Sequence, residues 1–429
     1  MARFGECMNE GSAETARRLI IAGIAGNVME WYDFAVYGYF AQTIGQHFFP
    51  SKDPIASLIA AFGVFAAGFL MRPIGGLVFG HIGDRIGRKA ALTLSVVAMA
   101  VPTFLIGMLP DYAQIGVTAS VLLVVLRLVQ GLSIGGEYTT SVVFLVEGAA
   151  PNRRGLMGSW SIFGAVAGIL LGSAIGAMLT SVWSSDTVYA WGWRVPFLLG
   201  LAVGLAGLYI RRHLPEAPVQ SSTEEPATSP IVEAFRTEWR AMLQVAGFNI
   251  LNAVGFYMIF VYVATYLRQI VHIQAAQALD INTINMVILL LLIPAAGALS
   301  DRVGRKPLLI ASALGTLVLA WPLFWLLHHP HFTLMLLGQM GFAVLIGLFD
   351  GAGPATMVEV LPARVRCSAL SVGYNLCLGV LGGTTPLVVT YLIARSHDDL
   401  SPAFYLMAAA ALSLAVILSL RETATVPLK

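Results

Sequence analysis

The chain has 429 residues, of which 57% are hydrophobic and only 11% are charged, and its formal net charge is +2. A soluble domain carries about 25% charged residues, so this composition excludes a water-soluble globular protein and predicts an integral membrane protein. The three cysteines are too few and too scattered for a disulfide framework or a metal site.

Apolar segments recur along the chain at the length that a bilayer requires, about 20 residues each. We expect twelve transmembrane helices, near residues 19–41, 56–80, 90–110, 116–147, 155–180, 192–211, 241–267, 281–300, 307–327, 332–358, 367–394 and 402–420. A long polar segment, residues 211–240, separates six spans from six. The predicted domains are therefore an N-terminal six-helix bundle (1–210), a linker (211–240) and a C-terminal six-helix bundle (241–429).

Most of the 25 Lys and Arg residues lie near the two termini, in the linker, or in the loops after spans 2, 4, 8 and 10. Positively charged loops remain on the cytoplasmic side of a membrane. This distribution predicts that both termini and the linker are cytoplasmic.

The fifth span, "GSWSIFGAVAGILLGSAIGAM", has a glycine at every fourth position from Gly164 to Gly176. Small residues at this spacing allow two membrane helices to approach closely. We interpret this pattern as a packing surface.

The two halves share a pair of charged loops. "GHIGDRIGRKA" follows span 2 and "GALSDRVGRKP" follows span 8, and a second pair, "PNRRG" and "PARVR", follows spans 4 and 10. Internal six-span repeats are typical of transporters whose halves rock about a central site. The charged residues in and beside these loops predict a latch that forms in one state and breaks in another: Asp84, Arg85, Arg88, Glu147, Arg154, Asp301, Arg302, Arg305, Glu359 and Arg366.

These loops, together with "GNVMEWYDFAVYG", "GFLMRPIGG", "RLVQGLSIGGEY" and "WGWRVPF", resemble the metabolite:proton symporter family of the major facilitator superfamily. That family includes permeases for α-ketoglutarate, citrate, shikimate, and proline with betaine. The resemblance implies an all-α integral membrane fold of twelve helices in two six-helix bundles, alternating access and proton-coupled uptake. We expect a multi-pass monomer in the bacterial inner membrane, with lipid, protons and a small carboxylate as partners. We expect no cofactor, metal, nucleic acid or catalytic residue.

Ionisable residues inside the predicted spans are candidates for transport chemistry, because a charge at mid-membrane is costly. Asp33 and Arg127 lie at similar predicted depths and are expected to meet. Glu30, Asp33 and Glu137 are the predicted proton-coupling residues, because two acids near one arginine can exchange a proton when an anionic substrate arrives. Arg127 is the predicted ligand of the substrate carboxylate, since its planar fork suits that group. Arg72 in "RPIGG" fits a structural role as well as a functional one.

The second half contributes one charge inside its spans, Asp350, and otherwise neutral polar and aromatic groups. An aromatic cage would suit a quaternary ammonium group. The remaining predicted substrate residues are Gln130, Trp31, Tyr37, Asn252, Tyr257, Asp350, Tyr374 and Asn375. The residues alone leave open an organic acid or a zwitterion such as proline or betaine.

Three other transport modes of the same fold remain open: a carboxylate exchanger, a uniporter and an exporter. A remote alternative of another class is an intramembrane aspartyl protease that uses Asp33 and Asp350. The protease alternative gives no reason for a six-plus-six repeat. The absence of a GxxxxGK[ST] loop disfavours ATP-driven transport.

Overall fold

A computed structural model describes residues 24, 27–76, 78, 88–133, 135, 137–213 and 235–428. All of the regular structure in these ranges is helical. Nine of the described helices are long and apolar enough to cross a membrane, and a bent pair raises that number to ten.

The first six helices have the following bounds, and α1 and α4 are each given in two parts: α1, residues 27–39 and Ala41–Phe48; α2, Pro54–Gly76; α3, Arg88–Met108; α4, Val117–Ser133 and Glu137–Glu147; α5, Arg154–Val182; α6, Arg194–His213. A short arm, Ser185–Gly192, precedes α6 at an angle of 53°. Asp53 caps α2, because its Oδ1 accepts from the Ile55 amide at 2.9 Å, and Pro54 occupies the first helical position.

The last six helices are α7, Trp239–Gln269; α8, Ala275–Val303; α9, Arg305–His328; α10, Phe332–Glu359; α11, Ala363–Ser396; and α12, Ser401–Ser419. Two of them contain a widened π-helical turn, Tyr257–Tyr262 in α7 and Leu378–Gly382 in α11. A Cβ placed on Gly382 would lie 3.0 Å from the Tyr257 ring, so the two widened turns pack directly on each other.

Within the described ranges, twelve helices thus correspond in order to the twelve predicted spans. The sequence did not predict the interruptions of α1 and α4 or the widened turns of α7 and α11, because apolar periodicity continues through them. The prediction that α5 is a packing surface agrees with its contacts: a Cβ on Gly164 or Gly172 would lie about 3 Å from α1. The domain boundaries stay a prediction, and residues 214–234 of the linker lie outside the described residues.

Candidate functional site

The most enclosed charged pair joins α1 to α4. Arg127 Nη1 donates to Asp33 Oδ2 at 2.9 Å and to Gln130 Oε1 at 2.8 Å, and the Arg127 and Asp33 side chains are 0% and 2% exposed. The predicted contact between Asp33 and Arg127 is therefore present. Because an isolated ion inside a bilayer is costly, each of these charges stabilises the other.

Aromatic rings enclose the Arg127 guanidinium. Its Cζ lies 4.2 Å from the Tyr37 ring centroid and 4.7 Å from that of Phe34, so Tyr37 lies in the predicted place. The residues that contact this guanidinium in the described part of the chain all belong to the first six helices. The role of Arg127 as substrate ligand stays a prediction, and these surroundings favour a task inside one half of the molecule.

A cavity about the size of one water molecule lies beside Asp33 and is also lined by Thr103. Within the described residues, Asp33 Oδ1 makes no hydrogen bond of normal geometry. The cavity gives the Asp33 side chain room for a neighbouring water molecule with which the carboxylate would exchange a proton.

The second buried pair joins α1 to α2. Arg72 Nη2 donates to Glu30 Oε1 at 3.2 Å, and Arg72 Nε donates to Asn375 Oδ1 at the same distance. The expectation that both acids share Arg127 is therefore wrong, because the two side chains leave α1 one turn apart and each contacts a different arginine. Asn375 belongs to α11, so Arg72 contacts both halves of the molecule.

Six aromatic rings from both halves meet beside Arg72, and we name them the central aromatic cluster: Trp31, Phe69, Tyr138, Phe256, Tyr257 and Tyr374. The centroids of Trp31 and Tyr257 are 6.1 Å apart, and Tyr138 stacks on Tyr374 at 4.8 Å. Arg72 Cζ lies 5.7 Å from the Trp31 ring. The structure therefore brings together Trp31, Tyr257 and Tyr374, three of the four aromatic residues in the predicted substrate site, and it adds Phe69, Tyr138 and Phe256.

Asp350 on α10 is buried, with 1% exposure. Asn252 on α7 is its neighbour, yet neither Asp350 oxygen makes a hydrogen bond of normal geometry with any described residue. The carboxylate lies within electrostatic range of the Tyr138 and Tyr374 hydroxyl groups. This places Asp350 near two members of the central aromatic cluster, and the substrate role of Asp350 and Asn252 stays a prediction.

Charged side chains also bridge the halves where α4 and α10 end. This interhalf charge cluster consists of Glu147, Arg154, Asp301, Arg305, Glu359 and Arg366. Arg366 forms an ion pair with Glu147, and Arg154 Nη1 lies 3.9 Å from Glu359 Oε1. Both of these contacts cross from one half to the other.

Asp301 supplies the third contact across the halves. Its two oxygens accept from the backbone amides of Gly155 and Leu156, at 2.8 and 2.9 Å, at the N-terminus of α5. Arg305 donates to the same carboxylate at 2.8 Å. An anion is favoured at a helix N-terminus, where amides lack partners within the helix.

Five predicted residues are not part of this arrangement as described. Asp84 and Arg85 lie outside the described residues, and nothing is described of the Arg88 and Glu137 side chains. Arg302 is exposed, whereas its neighbour Arg305 is buried against Asp301 and Glu359. The choice of Arg302 for the latch is therefore not supported by the structure, because it points away from the cluster.

The sequence did not predict the polar contacts at the opposite end of the helices. Asn282 Nδ2 donates to the Tyr39 hydroxyl at 2.9 Å, and Gln339 Nε2 donates to Asn282 Oδ1 at 2.7 Å. Asn282 and Gln339 are completely buried. These contacts connect α1 of the first half to α8 and α10 of the second, so both ends of the molecule carry contacts between the halves.

The segment after α12 was also missed. Thr423 Oγ1 donates to Glu359 Oε2 at 2.6 Å, and Glu422 accepts from the Arg305 and Lys306 amides at 2.9 and 3.0 Å. Partial burial, the largest single influence, would raise the pKa of Glu422, but four backbone N–H donors together hold that pKa below its ordinary value. The segment therefore docks on the interhalf charge cluster as an anionic cap of α9.

Two protein families match the chain, one on each half. Residues 19–228 match the family "Sugar (and other) transporter" and residues 245–428 match "Major Facilitator Superfamily". The chain is similar in fold to the proton:xylose symporter XylE bound to 6-bromo-6-deoxy-D-glucose, with a TM-score of 0.77. The two chains are 16% identical, over 96% of this chain and 97% of the other.

Several bacterial proteins are similar over nearly the whole sequence. The proline/betaine transporter of Salmonella typhimurium and the glycine betaine/proline/ectoine/pipecolic acid transporter OusA of Dickeya dadantii are each 37% identical to this chain. The proline/betaine transporter of Escherichia coli K12 is 36% identical. Each match covers 96% of this chain and 85% of the relative. The chain therefore belongs to the major facilitator superfamily, and it is a multi-pass membrane transporter rather than an enzyme.

Proposed function

We propose that the chain is a proton-coupled symporter that imports a small carboxylate-bearing metabolite by alternating access. The names of the relatives favour a zwitterion of the proline and betaine kind over an organic acid. We further propose that the protein acts as a monomer in the bacterial inner membrane, with both termini in the cytoplasm.

The observation that carries the proton coupling is the buried pair of Asp33 and Arg127. A proton on Asp33 removes its charge and weakens the pair, so α1 becomes free to move relative to α4. The same helix carries Glu30, whose partner Arg72 contacts the second half through Asn375. A change in protonation at Asp33 thereby reaches the interface between the halves.

Alternating access requires contacts that form and break in turn at the two ends of the molecule. The interhalf charge cluster supplies such contacts at one end, and the contacts of Tyr39, Asn282 and Gln339 supply them at the other. Opening towards either side of the membrane must break one set while the other persists.

The proteoliposome test of coupling uses the purified parent protein. An imposed pH gradient, acidic on the side of entry, should drive accumulation of labelled proline or betaine above its equilibrium level. The Asp33→Asn variant should still exchange substrate across the membrane but should no longer accumulate it, because the titrating group is gone. Asp280→Asn, the same change at an exposed position of α8, is the matched control and should behave like the parent.

The outcomes separate the alternatives. Uptake indifferent to the pH gradient indicates a uniporter, and uptake that requires substrate inside the vesicle indicates an exchanger. Proton-driven movement in the opposite direction indicates an exporter. The protease alternative is wrong, because the chain belongs to a transporter superfamily and its close relatives are named as transporters.

A further inference from the structure

We infer that the substrate binds between Arg72 and Asp350, with its carboxylate on Arg72 and its cationic group among the rings of the central aromatic cluster. This inference rests on the proposed function, since it assigns the binding groups of the same substrate. It moves the carboxylate site from Arg127 to Arg72, and it gives Asp350 the task of selecting a zwitterion.

Position favours Arg72 for the carboxylate. Its guanidinium is 1% exposed, donates to Glu30 on α1 and to Asn375 on α11, and lies against the Trp31 and Phe69 rings of the first half. A ligand held there contacts both halves, which alternating access requires. The described hydrogen-bond and ring partners of Arg127 all lie inside the first half, although its Nε and Nη2 make no hydrogen bond with described residues, so a substrate there would act first on the first half.

Glu30 gives the arginine a partner when no substrate is bound. Arg72 donates to one Glu30 oxygen at 3.2 Å, through a single nitrogen. A substrate carboxylate would offer two oxygens to the guanidinium fork, a geometry that is stronger than one bond. Substrate therefore competes with Glu30 for Arg72, and the Glu30–Arg72 link between α1 and α2 is lost when substrate wins.

The opposite end of the site carries a carboxyl group, that of Asp350, with no cationic partner among the described residues. Both Asp350 oxygens lack hydrogen bonds of normal geometry among the described residues, and so do Asn252 Oδ1 and the Tyr257 hydroxyl. All three side chains are buried, with exposures of 8% or less. Buried polar groups are normally satisfied, so a concentration of exceptions indicates a place where a ligand completes the bonding.

Tyr374 connects the two ends. It lies within electrostatic range of both Arg72 and Asp350, and its ring stacks on Tyr138 from the other half. Aromatic faces attract a quaternary or secondary ammonium group, and a nearby carboxylate adds to that attraction. The site thus has a guanidinium at one end, a carboxyl group at the other and aromatic rings between them, and a cationic ligand group would favour the ionised form of the carboxyl group.

This polarity discriminates between the two substrate classes that the sequence left open. A zwitterion places a charge of the correct sign at each end and brings no net charge into the protein. A dicarboxylate would place its second anion beside Asp350, and like charges close together in a buried site disfavour binding. The site is therefore selective for zwitterions over organic acids.

The test measures how tightly the purified protein binds two probes of the same shape, glycine betaine and the carboxylate 3,3-dimethylbutanoate (tert-butylacetate). The second probe has carbon in place of the ammonium nitrogen, so it keeps the carboxylate and lacks the cation. The parent should prefer glycine betaine. Asp350→Asn should lower that preference at least about tenfold, mainly by weakening glycine betaine, because one charge partner of the cation is lost.

Arg72 is tested with its partner neutralised as well, so that no buried charge is left alone. The double variant Glu30→Gln/Arg72→Gln should bind both probes at least about tenfold more weakly, since the carboxylate is common to them. Asp280→Asn and Arg395→Gln, at exposed positions of α8 and α11, are the matched controls and should bind as the parent does.

Three results would overturn the inference. The first is an unchanged preference in Asp350→Asn. The second is normal binding in the Glu30/Arg72 double variant together with lost binding when Asp33 and Arg127 are neutralised, which would return the carboxylate to Arg127. In the third, the parent binds neither probe nor proline, and then the proposed function itself fails, independently of any variant.

Discussion

Replacing Arg127 by alanine removes the cation that faces Asp33 and leaves a carboxylate buried inside the membrane with no counter-ion at 2.9 Å. Breaking a buried pair by removing one partner costs about 3–5 kcal/mol. Asp33→Asn should cost less, because Arg127 keeps the Gln130 acceptor at 2.8 Å and the Tyr37 ring at 4.2 Å. The expected order of stability is parent, then Asp33→Asn, then Arg127→Ala.

The double variant Asp33→Asn/Arg127→Gln separates stability from coupling. It leaves no charge in the pocket, so its thermal unfolding in detergent should return most of the way to that of the parent. In proteoliposomes it should nevertheless fail to accumulate substrate under a pH gradient, because no group in the pair titrates. Arg395→Ala, at an exposed arginine of α11, is the control for loss of a positive charge.

Accumulation by the double variant at the parental level would refute the coupling role and leave the pair as a static link between α1 and α4. Arg127→Ala as stable as the parent would refute the energetic reasoning, since Asp33 would then have another partner.

Asp301→Asn should slow transport about tenfold or more with little change in substrate affinity, because it weakens charge-assisted hydrogen bonds between the halves and leaves the binding site intact. Asp280→Asn on the same helix is the control and should change neither the transport rate nor the affinity. Stopped-flow exchange and equilibrium binding measure the two effects, and an affinity loss with normal exchange would contradict the latch. Glu422→Gln should speed hydrogen exchange at the Arg305 amide, because that amide donates to the Glu422 carboxylate. The pKa of Glu422 is lowered in the folded protein, so the carboxylate stabilises the fold fully above the ordinary glutamate pKa, and this stabilisation is lost as the pH falls through the lowered pKa. Unchanged exchange at all pH values would show that the segment does not dock through this carboxylate. Gly164→Leu should lower thermal stability by about 1–3 kcal/mol, since a Cβ there would lie 2.9 Å from Ile24 and 3.2 Å from Asn27 at the start of α1. A parental melting curve would rule out the close packing of α1 and α5.

The number and order of the helices could be read from the sequence because the bilayer imposes one length and one polarity on every span. The contact of Asp33 with Arg127 was also predictable, since the depth of a residue in a spanning helix follows from its distance to the helix end. The charged loops repeated in both halves also indicated the interhalf charge cluster, because repetition in sequence implies equivalent places in the fold.

The azimuth of each side chain, and hence its partner, was decided only by the tertiary structure. Glu30 and Asp33 share a helix face in sequence, yet the rotation and packing of α1 direct one to Arg72 and the other to Arg127. The widened turn of α7 places Tyr257 in the central aromatic cluster, and no pattern of apolar residues records such a turn. Sequence therefore determined depth and charge, which depend on the chain alone, whereas pairing depended on how neighbouring helices are rotated against each other.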